Sequence, residues 1–470
     1  MTVGFGALID KKTRVKIIEN AIITLEELGI ECSHEKTTEL LSQKEGILYN
    51  TGRLHFSKDI ISMHLEERRK EKATHDTGFK LLGPWCSFEI CDPYTNEVRI
   101  PEEKEVINAT KLIDAITEGT GAFGGCIPLY IQGVHPRLAT FKAEETAVKY
   151  TRKLGGKLTA LDKTEIEFIS NMYKAAGRRY KLALQGLISP LRLNPEIMDI
   201  FYEYDCNSEI DIEISCTIPM AGATAPVVFP AGLIQSVAEA LAVDFIFNTL
   251  STRKLDILTV RLEPFDMKSN NIVFGSPEWC ILNRAVVELE NELRGFPRRY
   301  GVFRSNSKRV DAQSMCERSM TVLFQALNGI RRFGAVGQLC VDEVFSPLQA
   351  VLDIQILKYV QRVINGLNSS WNDEIDFLTI LREGIADGMF MGHETTREYF
   401  RKFYSMDNLF TYNNLNSWRE GGMKNLEDAA REELKFIIDN HDFQLDTSKM
   451  DEVQRISNEG ERYLKRKYNL

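Results

Sequence analysis

The sequence predicts an α/β protein whose most economical architecture is a (β/α)8 barrel, or TIM barrel, with helical segments before and after it. Short apolar runs alternate with amphipathic helical patterns through the middle of the chain, as expected for parallel strands joined by helices. In addition, one long uncharged stretch divides into a strand, a turn of small residues and a helix, which is one unit of such a barrel. At 470 residues the chain exceeds an average domain, but barrels with insertions reach this length.

The uncharged stretch comprises the 25 residues between Glu213 and Glu239. That length could span a bilayer, but three prolines and two glycines within it argue against one continuous helix. A buried strand at Asp211–Thr217, a small-residue turn at Pro219–Pro226 and a helix that begins near Pro230 explain it better. Four apolar residues fall on one face of that helix: Leu233, Ile234, Val237 and Leu241. We therefore expect no interaction with a membrane.

Residues 1–78 are predicted to form an N-terminal helical cap. A period of 3.6 residues runs from Val15 to Leu28, and Gly29 is placed to end that helix. Ser33 has the residue type of an N-cap and would begin a second helix. A further amphipathic helix is predicted at Ile60–Lys72, so that the whole stretch 10–73 is interpreted as helical.

The barrel is predicted over residues 79–394. It begins with a short β section at Phe79–Ile100, followed by helices at Glu102–Ile116 and Ala139–Lys153. The strand candidates are Ala122–Pro128, Lys157–Leu161, Ala183–Ile188, Asp211–Thr217, Ile257–Leu262, Tyr300–Arg304 and Ala335–Leu339. The later helices are Glu165–Ala176, Pro195–Tyr204, Pro277–Glu292 and Asp311–Ile330. An eighth strand is not obvious, and Ile385–Met391 is the best remaining candidate.

Residues 395–470 are predicted to form a helical C-terminal extension. The segment is charged but contains Tyr404, Phe410 and Trp418 among its polar residues. Such aromatic residues indicate a bundle that packs beside the barrel or at a contact between subunits. We expect a homo-oligomer.

Composition excludes several classes of function. A net charge of −9 speaks against nucleic acid as a main partner, because a polyanion requires a basic surface. The nine cysteines are scattered without a CxxC pair, and His393-Glu394 is followed by Thr-Thr rather than completing HExxH, so we expect no metal site. The N-terminus lacks a basic-then-apolar signal pattern, and the expected location is the reducing cytoplasm.

Barrels place their sites at the carboxyl ends of their strands, where this chain has several charged groups. Asp211 and Glu213 alternate along one strand and point the same way, which suits either salt bridges at the barrel floor or a site. Arg304 ends the strand Tyr300–Arg304, although an exposed loop arginine explains it nearly as well. Gly119–Gly124 matches GxGxxG, but a helix precedes it and a strand follows, so we reject a dinucleotide site.

Asp342 and Glu343 follow the last clear strand. Glu343 could hold a cation, whereas Asp342 could simply cap the next helix. His393 follows a glycine-containing turn and is either a site residue or a hydrogen-bonded structural histidine. The aromatic residues near predicted strand ends, which could form a cation-binding cage but pack in the core by default, are Trp85, Tyr130 and Phe229.

Several short motifs along the chain belong to one family pattern. The main one is Pro219–Pro226 followed by Ala231-Gly232-Leu233 and Ala238–Ala242. Further matching residues are Leu25-Glu-Glu-Leu-Gly29, Gly275-Ser-Pro-Glu278, Asp311-Ala-Gln313, Phe345-Ser346, Val351-Leu-Asp353, His393, Thr395 and Thr396. With these motifs the sequence resembles the trimethylamine methyltransferase (MttB-like) family, and the resemblance covers nearly the whole chain.

The resemblance implies a TIM barrel that moves a methyl group from a methylated amine to the Co(I) corrinoid, or cobalamin, of a separate corrinoid protein. The archaeal trimethylamine enzymes carry pyrrolysine near the end of a late strand, where this chain has the standard residues Gln338–Glu343. It therefore resembles the branch without pyrrolysine, whose members act on glycine betaine, proline betaine, carnitine or γ-butyrobetaine. The family's small, glycine-containing segment is replaced here by Cys340–Glu343, which leaves the substrate open.

The expected site follows from this chemistry. The cobalt of the partner's corrinoid is the nucleophile, so we expect no catalytic side chain and no tightly bound cofactor. The residues expected to bind substrate are Trp85, Tyr130, Glu213, Arg304, Gln313, Glu343 and His393. The residues expected to meet the corrinoid are Met220, Gly222, Ala223 and Thr224. The alternatives are a tertiary amine or another methyl donor, and a barrel that binds an osmolyte or a corrinoid protein without turnover.

Overall fold

The computed structural model describes residues 6–70, 78–117, 127–153, 160, 162–296, 300–366, 376–403 and 409–470, which form a mixed α/β protein. The helices are α1 (Lys11–Glu27), α2 (Glu35–Ser42), α3 (Lys58–Arg69), α4 (Glu103–Ile116), α5 (Pro136–Tyr150), α6 (Lys163–Ala175), α7 (Met198–Tyr204), α8 (Phe229–Leu250), α9 (Pro277–Arg294), α10 (Ala312–Leu327), α11 (Pro347–Asn365), α12 (Phe377–Ala386), α13 (Glu394–Phe403), α14 (Leu415–Glu420), α15 (Leu426–Asp439) and α16 (Thr447–Tyr468). The strands are β1 (Ile30–Glu31), β2 (Ile47–Asn50), β3 (Arg53–Phe56), β4 (Lys80–Leu81), β5 (Glu89–Cys91), β6 (Val98–Arg99), β7 (Tyr180–Ile188), β8 (Arg192–Leu193), β9 (Ile210–Cys216), β10 (Met220–Ala221), β11 (Glu263–Asp266), β12 (Asn271–Ile272), β13 (Gly301–Val302), β14 (Arg332–Gly334), β15 (Gln338–Leu339) and β16 (Val344–Phe345).

The N-terminal cap is helical only in part. Asp10 caps the N-terminus of α1, because its side chain accepts a hydrogen bond from the Thr13 N–H. The helix ends before Gly29, which has the left-handed conformation, as predicted. The prediction that Ser33 caps the next helix is wrong, because the His34 ring accepts the bond from the Thr37 N–H.

The wholly helical interpretation of residues 10–73 is also wrong, because β2 and β3 form a hairpin within it. Thr51 and Gly52 both have positive φ at its two-residue turn, the geometry that joins antiparallel strands tightly. Leu54 and Phe56 of β3 are fully buried. The strand β1 then joins it to the main sheet, which has the order β2-β3-β1-β8-β7-β9.

The uncharged stretch folds as predicted, into strand β9, a small-residue turn and helix α8 with Pro230 in its first turn. β9 pairs in parallel with β7, so that Glu213 lies opposite Ala183. α8 is buried on nearly all sides rather than on one face, because α1 packs against it as well as the sheet. By length and composition α8 could cross a membrane, but 72% of its most apolar window is buried inside the protein, which is typical of a core helix.

The remaining strands form three small sheets. β13, β14 and β4 run parallel, β16 and β5 run parallel, and β10 runs parallel to β11. A closed eight-stranded barrel is not found among the described residues, which leaves the barrel prediction unconfirmed. The predicted strand Ile257–Leu262 is largely buried but is not assigned as a strand, while Lys157–Leu161 and Ala122–Pro128 lie mostly outside the described residues. The rejected GxGxxG run, Gly119–Gly124, lies outside them as well.

The prediction of an eighth strand at Ile385–Met391 is wrong. Its first residues end helix α12, because the apolar pattern from Phe377 onward has helical spacing, and a turn follows. The C-terminal extension is helical as predicted. α15 packs on α4 and α11, and α16 packs on α5 and α6, while Phe410 contacts Tyr359 of α11. Tyr404 lies outside the described residues.

Candidate functional site

A cavity of about 440 Å³ opens at the carboxyl ends of β7 and β9. Side chains from these two strands meet there with side chains of residues 256–261 and of helix α8. The loops after β13 and β15 contribute further side chains. Its charged lining consists of four carboxylates and two guanidinium groups: Glu213, Glu239, Asp256, Asp342, Arg261 and Arg304. This size suits a small molecule, and the mixed charges suit a ligand that carries both signs.

Arg304 is the most constrained charged group of the cavity. Its guanidinium lies between two aromatic rings, 4.5 Å from the ring centre of Trp85 and 4.2 Å from that of Phe274. Its Nη1 donates a hydrogen bond of 3.2 Å to the carbonyl of Val341, whereas its buried Nε lacks a hydrogen-bond partner among the described residues. Burial lowers the pKa of Arg304 to about 10. A buried guanidinium with an unfilled donor at a cavity wall is suited to accept an anionic group of a ligand.

The loop after Arg304 is held in place by α10. Glu317 accepts hydrogen bonds from the Ser305 hydroxyl at 2.7 Å and from the Asn306 N–H at 2.9 Å. The Asn306 side chain donates to the carbonyl of Ile272 at 2.8 Å, which ties the loop to β12. This network keeps the Arg304 backbone fixed, so that the side chain can remain between the two rings.

Trp85 is fixed from the opposite side by Gln338. The side-chain amide of Gln338 accepts a hydrogen bond from the backbone N–H of Trp85 and donates one to the backbone carbonyl of Trp85, each at 3.1 Å. One face of the indole is taken by Arg304. Trp85 therefore lines the cavity with its ring supporting the guanidinium, and its predicted role in substrate binding stays a prediction.

The backbone of the loop Cys340–Glu343 determines whether Asp342 or Glu343 enters the cavity. Cys340 and Val341 both have left-handed backbones, with φ of 49° and 70°, a rare conformation for a β-branched residue. Their N–H groups donate to the carbonyls of Ser307 and Ser305, at 2.7 and 3.1 Å. As a result Asp342 lines the cavity, whereas Glu343 is exposed and lies outside the lining.

Glu213 lines the cavity and also forms an ion pair. Its carboxylate lies 2.5 Å from the Lys181 ammonium, and Asp211 pairs with Arg179 at 2.7 Å in the same way. The position of Glu213 is therefore compatible both with a structural salt bridge and with a role in the site. Beside it, burial and the charge of Glu213 raise the pKa of Tyr300, so this phenol stays protonated.

Three charged cavity residues, Glu239, Asp256 and Arg261, were not found by sequence reasoning. Glu239 lies on α8, accepts hydrogen bonds from the Ser189 hydroxyl and the Leu191 N–H, and has a pKa raised by burial. Asp256 and Arg261 lie in the segment 256–261. A carboxylate within the largely apolar core helix α8 is the sequence signal that could have identified Glu239, since such a group requires polar partners.

The small-residue turn borders the cavity through Met220. The carbonyl of Met220 accepts hydrogen bonds from the N–H groups of Ala223, Thr224 and Ala225, which makes the turn compact. Gly222 has φ of 105°, a conformation that favours glycine, and an added Cβ would be in ordinary van der Waals contact with the Met267 sulfur and the Phe265 carbonyl oxygen, each 3.9 Å away. Next to the turn, three apolar side chains are largely exposed: Val227, Val228 and Met267.

Besides Glu343, three other predicted substrate-binding residues lie outside the cavity lining. Tyr130 stacks on Phe88 with ring centres 5.3 Å apart. Gln313 donates a hydrogen bond to Glu317 and lines a separate apolar groove between α9 and α10. His393 bonds to Thr395 and Glu383. Their roles remain predictions. Within the described ranges, no group of three metal-ligating side chains is found.

Comparison with known families identifies the class of protein. Residues 182–467, which run from β7 through most of the cavity to α16, match the family described as "Trimethylamine methyltransferase (MTTB)". The chain belongs to this family, and it is a methyltransferase. The family assignment made from the sequence motifs is confirmed.

Individual relatives are similar over most of the chain. A trimethylamine methyltransferase MttB from Desulfitobacterium hafniense is 24% identical over 379 residues, which cover 77% of this chain and 73% of the relative. A glycine betaine methyltransferase from the same species is 24% identical over 408 residues, covering 83% of this chain and 84% of the relative. For trimethylamine methyltransferase MttB2 of Methanosarcina mazei, the identity is 26% over 251 residues, and the alignment spans only half of that protein.

Proposed function

We propose that this protein transfers a methyl group from a quaternary amine that carries a carboxylate to the Co(I) corrinoid of a separate protein. Glycine betaine, proline betaine, carnitine and γ-butyrobetaine are substrates of this type. The observation that carries the proposal is Arg304, a buried guanidinium at the cavity wall with an unfilled hydrogen-bond donor. Protonated trimethylamine, the main form at neutral pH, has no hydrogen-bond acceptor that could fill it.

The charges in the cavity support binding of such a zwitterion. The substrate carboxylate would pair with Arg304, and the quaternary ammonium would lie towards the carboxylates of Asp342, Glu213 and Asp256. A quaternary ammonium loses its charge when its methyl group leaves. A strong cation cage would therefore stabilise the bound substrate more than the transition state, and carboxylates at a distance avoid this.

The small-residue turn supports the approach of a large flat cofactor carried by a partner. The lack of a side chain at Gly222, the small side chain of Ala223 and the exposed apolar side chains of Val227 and Met267 fit a corrinoid face. A reduced corrinoid supplies the nucleophile, and a tertiary amine is a neutral leaving group. The chain's own task is then to orient the substrate and to exclude water from it.

For the frame of the site we propose the α/β barrel. Its support is that strand segments from β7, β9, 256–261 and 300–304 direct side chains into one common cavity. Parallel pairing of β7 with β9, and of β13 with β14 and β4, agrees with this arrangement.

A substrate panel tests the proposal. Purified protein is mixed with a Co(I) corrinoid protein, and cobalt methylation is followed by its absorbance with each betaine and with trimethylamine. We expect turnover of at least one betaine. Turnover of trimethylamine alone would contradict the proposal, and binding of a betaine without cobalt methylation would indicate a non-catalytic binding protein.

The second candidate is trimethylamine itself, since several relatives bear that name. The two candidates differ in their dependence on Arg304. Demethylation of trimethylamine would be insensitive to its substitution, whereas demethylation of a betaine would be strongly reduced.

A further inference from the structure

One face of helix α8 lies against both the cavity and the small-residue turn at Pro219–Pro226. Gly232, Gln235 and Glu239 are spaced by three and four residues, so they follow each other along this face. Glu239 lines the cavity, whereas Gln235 lies outside the lining. The face therefore connects the substrate cavity with the turn that the proposed function assigns to the approach of the corrinoid.

Gln235 binds the turn and the cavity wall through one side-chain nitrogen. Its Nε2 donates a hydrogen bond of 2.8 Å to the backbone carbonyl of Thr224 and another of 3.0 Å to Oε1 of Glu239. A primary amide has two N–H donors, and this geometry uses both of them. Gln235 thus forms a bridge between the turn and a carboxylate of the cavity.

Both ends of this bridge are held by further hydrogen bonds. At the cavity end, Glu239 is 2% exposed and accepts hydrogen bonds from the Ser189 hydroxyl at 2.6 Å and the Leu191 N–H at 3.1 Å. At the turn end, the Thr224 hydroxyl accepts a hydrogen bond of 3.0 Å from the N–H of Met220, which lines the cavity. The bridge therefore holds the turn at a set position relative to the cavity.

Close packing at Gly232 acts on the same turn. A Cβ at this position would lie 2.8 Å from the carbonyl oxygen of Pro226 and 3.1 Å from the side chain of Leu262. A residue without a side chain lets the helix approach the end of the turn this closely. The hydrogen bonds of Gln235 and the packing at Gly232 are thus two independent contacts between α8 and the turn.

The position of the turn matters for methyl transfer, and in this respect the inference rests on the proposed function. The transfer breaks the substrate C–N bond, whose electron pair stays on the nitrogen, and joins the methyl carbon to cobalt with the electron pair of Co(I). Nitrogen, carbon and cobalt must lie in line for this displacement, and a misplacement of about 1 Å can cost roughly a hundredfold in rate. The substrate is held by the cavity, whereas the corrinoid would be met by the turn, so their separation depends on what joins the two.

We propose that Gln235 is a positioning residue for methyl transfer, which holds the small-residue turn at the distance from the cavity that the transfer requires. It acts through Thr224 and Glu239 rather than through contact with the substrate. Loss of its amide should therefore slow the transfer without weakening the binding of the substrate.

Gln235→Met tests the proposal, because methionine has a similar length but no hydrogen-bond donor. Single-turnover methylation of a Co(I) corrinoid protein at saturating substrate should slow at least about tenfold. The dissociation constant of the substrate, measured by calorimetry, should change less than about twofold, because Gln235 lies outside the cavity lining.

Hydrogen exchange gives a measurement that needs neither substrate nor corrinoid. In Gln235→Met the amides of residues 222–225 should exchange at least about fivefold faster, and those of residues 181–188 in β7 should exchange as in the wild type. Thr224→Val, which removes the acceptor for the Met220 N–H, should also slow the transfer. The double variant should lose less than the product of the two single losses, because both changes break one bridge.

Gln454→Met is the matched control. Gln454 also donates to a side chain four residues further along its helix, to Asn458 at 2.9 Å, but it lies on α16 and outside the cavity lining. This variant should keep the wild-type transfer rate and the wild-type exchange of residues 222–225.

An unchanged transfer rate in Gln235→Met would overturn the proposal, and so would a loss of rate that weaker substrate binding explains. If the wild type methylates no cobalt with any amine of the panel, the proposed function fails. The exchange of the turn amides then decides the present inference separately. Faster exchange in Gln235→Met supports the bridge as the contact that fixes the turn, whereas unchanged exchange overturns it.

Discussion

Replacement of Arg304 by methionine should make the protein more stable and its binding of a betaine weaker. The lowering of the Arg304 pKa by burial corresponds to roughly 3 kcal/mol of unfavourable desolvation in the folded state. Loss of two ring contacts offsets roughly 1–2 kcal/mol of this. The variant should therefore gain about 1–2 kcal/mol of stability and melt a few degrees higher, as measured by scanning fluorimetry without ligand.

The same substitution removes the hydrogen bonds to a substrate carboxylate. A hydrogen bond to a charged group contributes about 1.5–3 kcal/mol, which corresponds to a loss of affinity of roughly 10- to 150-fold. Isothermal titration calorimetry with glycine betaine and with choline separates the contributions, because choline has the ammonium but lacks the carboxylate. The affinity for choline should change less than threefold.

The matched control is Arg331→Met. Arg331 also stacks on an aromatic ring, 4.9 Å from the centre of Phe79, and its pKa is also lowered by burial, but it lies outside the cavity lining. This variant should bind glycine betaine like the wild type. Equal losses for glycine betaine and choline in Arg304→Met, or an unchanged affinity for both, would refute the assignment of Arg304 to the carboxylate.

The stability contribution of Arg304 and the affinity for glycine betaine should each change with pH in a defined direction. The folded-state pKa of Arg304 lies below its unfolded value, so the desolvation penalty is fully present below about pH 10 and disappears as the pH rises above it. Between pH 7 and 9 the guanidinium is charged and glycine betaine should bind with constant affinity, whereas binding should weaken above about pH 10.

Three further predictions concern the turn, the cavity carboxylate and the core. Asp342→Asn should weaken the binding of quaternary amines by up to about fivefold in calorimetry, and Glu343→Gln should leave it unchanged, whereas the reverse result would restore the sequence-based assignment. Ala223→Trp should slow cobalt methylation at least tenfold with an unchanged dissociation constant for substrate, and a normal rate would remove the turn from the corrinoid approach. Asp353→Asn should destabilise the fold by roughly 3–5 kcal/mol, because the fully buried Arg318 loses its ion-pair partner. Asp353→Glu should recover part of the lost melting temperature, and equal melting of both variants would argue against the ion pair as the cause.

Periodicity alone predicted most of the helices and several strands, because these elements bury faces with a regular spacing. It failed at β2 and β3, where the interpretation as helix overlooked the turn at Thr51-Gly52. It also failed at Ile385–Met391, where an apolar run was assigned to a strand although its stripe belongs to a helix that is exposed in the single chain.

For the site, position along or near the predicted strands singled out Trp85, Glu213 and Arg304, and the small-residue turn singled out Met220; all four line the cavity, and their roles stay predictions. The choice between neighbouring carboxylates could not be made in this way. On a regular strand, adjacent side chains point to opposite faces, but after Leu339 the chain leaves the strand for left-handed backbone conformations. Only those dihedral angles determine which side chain enters the cavity.

The left-handed pair Cys340–Val341 also explains how the site stays rigid. Residues held in this region cost on the order of 1–3 kcal/mol each, and they persist only where surrounding contacts fix them. Here the two N–H groups are bound by the loop after Arg304, while the Val341 carbonyl accepts the hydrogen bond from Arg304 itself. The same turn thus places Asp342 in the cavity and aligns the guanidinium across from it. Because one strained segment orients both charged groups, a substitution that relaxes it should disturb the binding of the carboxylate and of the ammonium together.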